Sequence, residues 1–145
     1  MKKFIFSFAL IATTMILLDS CDKYPNGPKF SILTKTARLC NNWEMVSILK
    51  DGNEIISKVP TKTLSIDKDG TFSMADSQTA LGQISTSFIH GDWTLEAEKT
   101  TLSLLQVGLD IPENYTIKEL KNKTLVLEQY TSQGVFLMTF EPQNN

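Results

Sequence analysis

Apolar and polar residues alternate along most of the chain after residue 42, and short polar or glycine-containing segments separate the alternating runs. Such alternation is typical of β-strands that bury one face. The pattern predicts strands at 43–50, 54–58, 62–67, 71–76, 84–96 with a break near Gly91, 100–106, 114–120, 124–130 and 135–141. No helix of ordinary length fits among these runs, which indicates an all-β domain.

Short turns connect most of these strands. Asp69-Gly70 separates two alternating runs and is a strong hairpin signal, because glycine adopts positive φ without steric cost. Only the connections at 76–83 and 106–113 are longer. We therefore expect an up-and-down antiparallel sheet of about eight strands, which tends to close into a barrel because closure removes exposed edges. The alternative is an open β-sandwich, which would need long crossing connections.

One short helix is predicted before the first strand. Leu33, Ala37 and Cys40 share one helical face, and the Asn41-Asn42 pair would end the helix. Helix and strands together form one domain at 30–145. The segment before it, 21–29, contains two prolines and a glycine among polar residues, which is typical of a tether.

The first twenty residues have the order of a secretory leader. Lys2 and Lys3 precede a largely apolar run of 15 residues at 4–18. A helix that crosses a bilayer needs roughly 20 apolar residues. A cleaved signal peptide at 1–20 is therefore favoured over a membrane-spanning helix.

The end of this leader, Leu18-Asp19-Ser20-Cys21, resembles the lipobox of bacterial lipoproteins. In that motif an aliphatic residue stands three positions before the cysteine and a small residue directly before it. The resemblance implies that Cys21 becomes the first residue and carries acyl chains, each buried CH₂ of which contributes about 0.8 kcal/mol to membrane binding. We therefore expect a lipid-anchored protein of the bacterial cell envelope. The outer membrane as its location is implied by family resemblance alone and not by these residues.

Charge and residue types exclude several other functions. Loss of residues 1–20 shifts the formal net charge from −2 to −3, and no basic block remains, so nucleic acid is not expected as a partner. Cys40 and an acylated Cys21 cannot form an intrachain disulfide. His90 is the only histidine, which fits neither a zinc site of the usual composition nor catalysis. We expect no metal, no cofactor and no enzymatic activity.

Two segments resemble lipocalin-like proteins. The run Asn42-Trp43-Glu44-Met45 follows the short helix, as the first strand of a lipocalin-like barrel does, where a tryptophan closes one barrel end. The run Gly91-Asp92-Trp93-Thr94 resembles the middle of small lipocalin-like lipoproteins of bacterial envelopes, of the Bacteroidota type. The resemblance covers roughly 39–142 and implies a calycin barrel of eight strands, which is wide enough to hold one small ligand or to fill with its own side chains.

A barrel of this kind suggests candidate site residues. Large or flexible apolar side chains in two of the predicted strands can pack a core or line an adaptable pocket, and both interpretations stay open: Phe72, Met74, Phe136, Met138 and Phe140. Trp43 and Trp93 are expected to close the barrel ends, where each indole buries a large area and finds one acceptor for its N–H.

Two functions remain. The first is a tethered carrier that binds a small apolar or amphipathic ligand inside the barrel. The second is a packed barrel without a ligand that docks another envelope protein through an exposed apolar patch formed by Leu81, Ile84, Phe88 and Ile89.

Overall fold

A computed structural model describes residues 32–143, so the predicted leader and the whole predicted tether, with Cys21, lie outside the described residues. One helix, α1, spans Lys35–Leu39, and short 3₁₀ helices occupy Ile56–Lys58 and Ala97–Lys99. The strands are β1 (Asn42–Lys50), β2 (Asn53–Glu54), β3 (Thr61–Ile66), β4 (Thr71–Ala80), β5 (Gln83–Glu96), β6 (Thr101–Gln106), β7 (Glu113–Lys121), β8 (Thr124–Thr131) and β9 (Gly134–Pro142).

The strands close into a barrel. From β3 to β9 each strand pairs antiparallel with the next, β1 pairs with β3, and β9 pairs back with β1. Met45 lies opposite Phe140 in this closing pair, and Ile48 lies opposite Met138. The two-residue strand β2 only extends β1 in a hairpin. The predicted closed, eight-stranded, up-and-down antiparallel barrel with one short N-terminal helix is confirmed, and the open sandwich is wrong.

One end of the barrel, here called the closed end, is filled with apolar side chains. Helix α1 lies there, and its first turn is capped by the Thr34 hydroxyl, which accepts a hydrogen bond from the Ala37 N–H at 3.1 Å. Leu39 and Trp43 have no exposed surface, and the indole Nε1 of Trp43 donates to the Leu39 carbonyl at 2.9 Å. Leu120, Leu125 and Phe140 complete a fully buried layer.

The opposite end, here called the mouth, is formed by the connections β1–β3, β4–β5, β6–β7 and β8–β9. Two predictions in this part are wrong. The segment 54–58 is not a strand, because the Glu54 carboxylate accepts hydrogen bonds from the N–H groups of Ile48, Ile55 and Ile56 and a 3₁₀ turn follows. The segment 76–83 is not a long loop, because β4 continues to Ala80 and a two-residue turn leads into β5.

Both residues of that turn have positive φ, 52° at Leu81 and 77° at Gly82, which is the backbone of a type I′ hairpin. Leucine rarely adopts such angles, so only Gly82 is a residue type typical of this turn. The predicted break at Gly91 is also wrong, because β5 is continuous through this residue. A Cβ at Gly91 would lie 1.9 Å from the Leu105 carbonyl oxygen, so glycine permits the close approach of β6.

The two tryptophans provide a matched test of the closed end. Each indole donates to a main-chain carbonyl, Trp43 to Leu39 at 2.9 Å and Trp93 to Asp67 at 2.8 Å, but only Trp43 is fully buried. Trp43→Phe removes a buried donor and leaves a cavity, so we expect a loss of about 3 kcal/mol in the free energy of unfolding. Trp93→Phe should cost about 1 kcal/mol or less. Urea denaturation of both variants measures the difference, and equal losses would contradict the assignment of Trp43 to the buried layer.

Candidate functional site

An open cavity of about 400 Å³ lies at the mouth of the barrel. Side chains from β1, β3, β7, β8 and β9 and from the β8–β9 turn line it: Ile48, Lys62, Glu113, Tyr115, Gln129, Thr131, Ser132, Gln133, Phe136 and Met138. Pockets for small ligands commonly measure about 300–1,000 Å³. The cavity is therefore large enough for one small molecule.

One wall of this cavity is apolar. Ile48 on β1 and Met138 on β9 are direct cross-strand partners and both are buried. Phe136 lies two residues before Met138, on the same face of β9, and is half-buried. The ammonium of Lys50 lies 5.7 Å from the centre of the Phe136 ring, a cation–π distance that holds this lysine above the apolar wall.

The remaining part of the lining, here called the polar wall, carries polar side chains. Glu113 and Tyr115 are two residues apart on β7 and so share its inner face, and the Tyr115 hydroxyl donates a hydrogen bond to the Glu113 Oε2. Burial raises the pKa of Tyr115 well above its usual range, and the neighbouring Glu113 raises it further, while a hydrogen bond from Gln129 acts in the opposite direction. The hydroxyl consequently keeps its proton at all physiological pH values.

A half-buried ion pair lies beside this wall. The Lys62 Nζ is 2.9 Å from the Asp76 Oδ1 and donates to the Oδ2 at 3.2 Å, and it also lies 3.1 Å from the sulfur of Met74. Lys62 is in phase with Leu64 and Ile66 on β3, and Asp76 is in phase with Phe72 and Met74 on β4. The inner face of these two strands therefore changes from apolar to charged as it approaches the mouth.

A second, much smaller space lies under the β6–β7 loop. It has a volume of about 20 Å³, enough for about one water molecule. Its lining is mostly apolar and comes from β4, β5, β6 and the loop: Phe72, Met74, Ile89, Leu104, Gln106, Leu109, Ile111 and Glu113. Glu113 borders both spaces, so the small crevice adjoins the large cavity.

The five apolar residues singled out from the sequence fall into three places. Phe136 and Met138 line the open cavity, and Phe72 and Met74 line the small crevice. Phe140 is 1% exposed, packs in the core and lines neither space.

The remaining sequence candidates lie elsewhere. Trp43 fills the closed end, and Trp93 is half-buried near the Asp67–Gly70 turn of that same end. His90 is exposed on β5, outside the lining of the mouth cavity. Cys40 is a free thiol at the end of α1, and its pKa is raised by partial burial.

In residues 32–143 no helix has the length and apolar character needed to span a bilayer.

The alternation of apolar residues does not single out the polar residues of the site: Lys62, Asp76, Glu113, Tyr115 and Gln129. A signal for them existed, because Lys62 and Asp76 occupy inward positions of otherwise apolar alternations. The alternation of residues does not contain the stagger of the strands around the barrel. This stagger decides which of the inward polar residues meet.

No family model and no curated protein matches the sequence. Among solved structures, bovine odorant-binding protein from nasal mucosa is similar with 16% identity over 80% of this chain and 78% of that chain, at a TM-score of 0.49. Its complex with undecanal gives 15% identity, the same coverage and a TM-score of 0.46. A redesigned β-barrel gives 14% identity over 79% of this chain and all of that chain, also at 0.46. These likenesses concern the shape of the chain and carry no argument about what it binds.

The ion pair of the mouth can be tested against a pair on the outer surface. Lys62→Met leaves the partly buried Asp76 carboxylate without its cation, so we expect a loss of about 1–2 kcal/mol in the free energy of unfolding, less than for a fully buried pair. Lys118→Met removes a pair with Glu128, whose carboxylate keeps the Tyr130 hydroxyl as a donor at 3.1 Å, so it should cost under about 1 kcal/mol. Thermal or urea denaturation of both variants checks the ranking, and a reversed order would contradict it.

Proposed function

We propose that this protein binds one small amphipathic molecule in the cavity at the barrel mouth. The observation that carries the proposal is the division of the cavity of about 400 Å³ into an apolar wall, with Ile48, Phe136 and Met138, and a polar wall, with Glu113, Tyr115 and Gln129. An amphipathic molecule satisfies both walls at once, whereas a purely polar molecule would leave the apolar wall in contact with water.

The closed end supports this placement. Trp43, Leu125 and Phe140 are at most 1% exposed and belong to one packed core. A molecule that enters the barrel therefore stops above this layer. Rigid side chains below and an opening above suit reversible binding of a small guest rather than permanent enclosure.

We further propose that the protein is held at a membrane by lipid on Cys21, as in the small lipocalin-like lipoproteins of the Bacteroidota outer membrane that its sequence resembles. Residues 22–31 would connect the anchor to Ile32, which precedes α1 at the closed end. A chain of this length spans at most about 35 Å. The mouth then lies at the end of the barrel remote from the entry of the tether.

A second function, docking of another envelope protein, is favoured by one observation. The tip of the β4–β5 hairpin, here called the hairpin arm (77–88), extends beyond its neighbours: residues 83–90 of β5 pair with β4 but with no other strand among the described residues. Leu81, Ile84 and Phe88 are exposed on this arm, while Ile89 turns inward and lines the small crevice. An unpaired edge with apolar side chains can accept a strand from a partner.

Ligand binding can be tested with the neutral fluorescent probe N-phenyl-1-naphthylamine. We expect saturable one-to-one binding to the domain and loss of that binding in Gln129→Trp, because the larger side chain fills the cavity from its inner face. Tyr130→Trp adds the same indole on the outer face, where Tyr130 is 70% exposed, and should bind the probe as the unchanged protein does.

Absence of probe binding in the unchanged protein, or equal binding in both variants, would contradict the cavity as the ligand site. The experiment also separates the two functions, because docking through the hairpin arm does not require the cavity.

Anchoring can be tested in a bacterial host by metabolic labelling with a clickable palmitate analogue. The full chain should incorporate the label and partition with membranes, and Cys21→Ala should lose both properties, because only a thiol at this position can receive the diacylglyceryl group. Cys40→Ala is the matched control and should keep the label. A labelled Cys21→Ala protein, or an unlabelled parent, would overturn the anchor.

A further inference from the structure

We infer that the molecule bound at the mouth carries a cationic head, most simply a primary ammonium group, which pairs with the Glu113 carboxylate. The inference rests on the proposed function and assigns the chemical class of its ligand. Three observations carry it: the balance of charge in the lining, the direction of the hydrogen bond on the polar wall, and the position of Glu113 in the open cavity.

The charges of the lining do not cancel. Lys62 and Glu113 are its two charged side chains, and the Lys62 ammonium is already neutralised by Asp76 at 2.9 Å. Lys50 lies outside the lining, with its ammonium over the Phe136 ring. Among residues 32–143, Glu113 has only the neutral Tyr115 hydroxyl as a partner, so its negative charge is the one that these residues leave uncompensated in the cavity.

The hydrogen bond of the polar wall runs toward the same carboxylate. Tyr115 donates its single proton to the Oε2 of Glu113. Because the pKa of Tyr115 is raised, this proton stays on the hydroxyl and is shared with Glu113. The Oε1 of Glu113 is left without a donor among residues 32–143. A ligand that brings donors and positive charge supplies one, whereas a carboxylate head would meet a like charge.

Glu113 also lies where a head group and a tail can separate. It borders the open cavity, whose apolar wall is formed by Ile48, Phe136 and Met138. A cation at Glu113 therefore leaves an attached short alkyl chain next to this apolar wall, because the crevice beneath Leu109 and Ile111, of about 20 Å³, is too small for it. This placement removes the chain from water while the head keeps its contact with solvent.

The test compares three probes with the same eight-carbon chain: octylammonium, octanoate and 1-octanol, each below its micellar or solubility limit. Affinities are measured by displacement of N-phenyl-1-naphthylamine from the intact domain. Glu113 is exposed, so its attraction is screened, and we expect octylammonium to bind about tenfold more tightly than octanoate, with octanol between them.

The variant Glu113→Gln keeps the shape of the side chain and removes its charge. It should bring the affinities for octylammonium and octanoate to within about twofold of each other, while octanol is unaffected. The same change at Glu119, which lies on the same strand and pairs with Lys121 at 2.8 Å outside the cavity, should preserve the preference. Far-ultraviolet circular dichroism confirms that both variants keep the fold.

The outcomes distinguish this inference from the proposed function. Octanoate binding as tightly as octylammonium, or a preference for octylammonium that survives Glu113→Gln, would overturn the cationic head while leaving a ligand cavity in place. Failure of all three probes and of the fluorescent reporter to bind the unchanged protein would overturn the ligand cavity itself.

Discussion

The pairing of β9 with β1 is the contact on which the rest of the molecule depends. Without it the sheet would have two long free edges, and its inner face would need a second layer to cover it. The pair joins Trp43 with Pro142 at one end and Lys50 with Phe136 at the other, so it runs the full height of the barrel. Because this ladder of hydrogen bonds reaches from one end of the barrel to the other, it fixes both the closed end and the mouth.

Closure creates one interior with two chemical environments. Toward α1 the inward residues are apolar and fully buried, and this layer supplies most of the stabilisation through removal of apolar surface from water. Toward the mouth the inward positions become Lys62, Asp76, Glu113 and Gln129. These side chains cannot pack as densely as the apolar layer, because each needs a polar partner. The open cavity is the space that remains between them and the apolar wall of β1 and β9.

The strands were predictable from the sequence wherever one face is buried and the other is exposed to solvent. Leu64, Ile66, Phe72 and Met74 lie at alternating positions and face the interior. The hairpin arm lacks this contrast, because nearly all of its described residues are exposed, and its first half was therefore predicted as part of a loop at 76–83. In the β1–β3 connection, Ile55 and Ile56 suggested a strand. Main-chain bonding to β1 ends at Ile55, because the Ile56 N–H donates to the Glu54 carboxylate and a 3₁₀ turn follows.

The candidate site was predictable only in part. Apolar residues can be recognised as inward by their alternation, and Phe136 and Met138 do line the cavity. Whether an inward apolar residue borders a cavity or the core depends on its height in the barrel, which is why Phe140, four residues beyond Phe136, lies in the core instead. The meeting of Glu113 with Tyr115 and of Lys62 with Asp76 depends on strand register and stagger, which a single sequence does not specify.

The most direct test of an open mouth above a filled closed end uses the methyl groups of three methionines as reporters. Met138 lines the cavity, Met74 lines the adjoining crevice, and Met45 is buried elsewhere in the core. Methyl-selective nuclear magnetic resonance during titration with N-phenyl-1-naphthylamine should show saturable shifts at Met138, smaller shifts at Met74 and none at Met45. Equal shifts at all three methyl groups, or a shift at Met45 alone, would contradict a rigid barrel that admits its ligand only at the mouth.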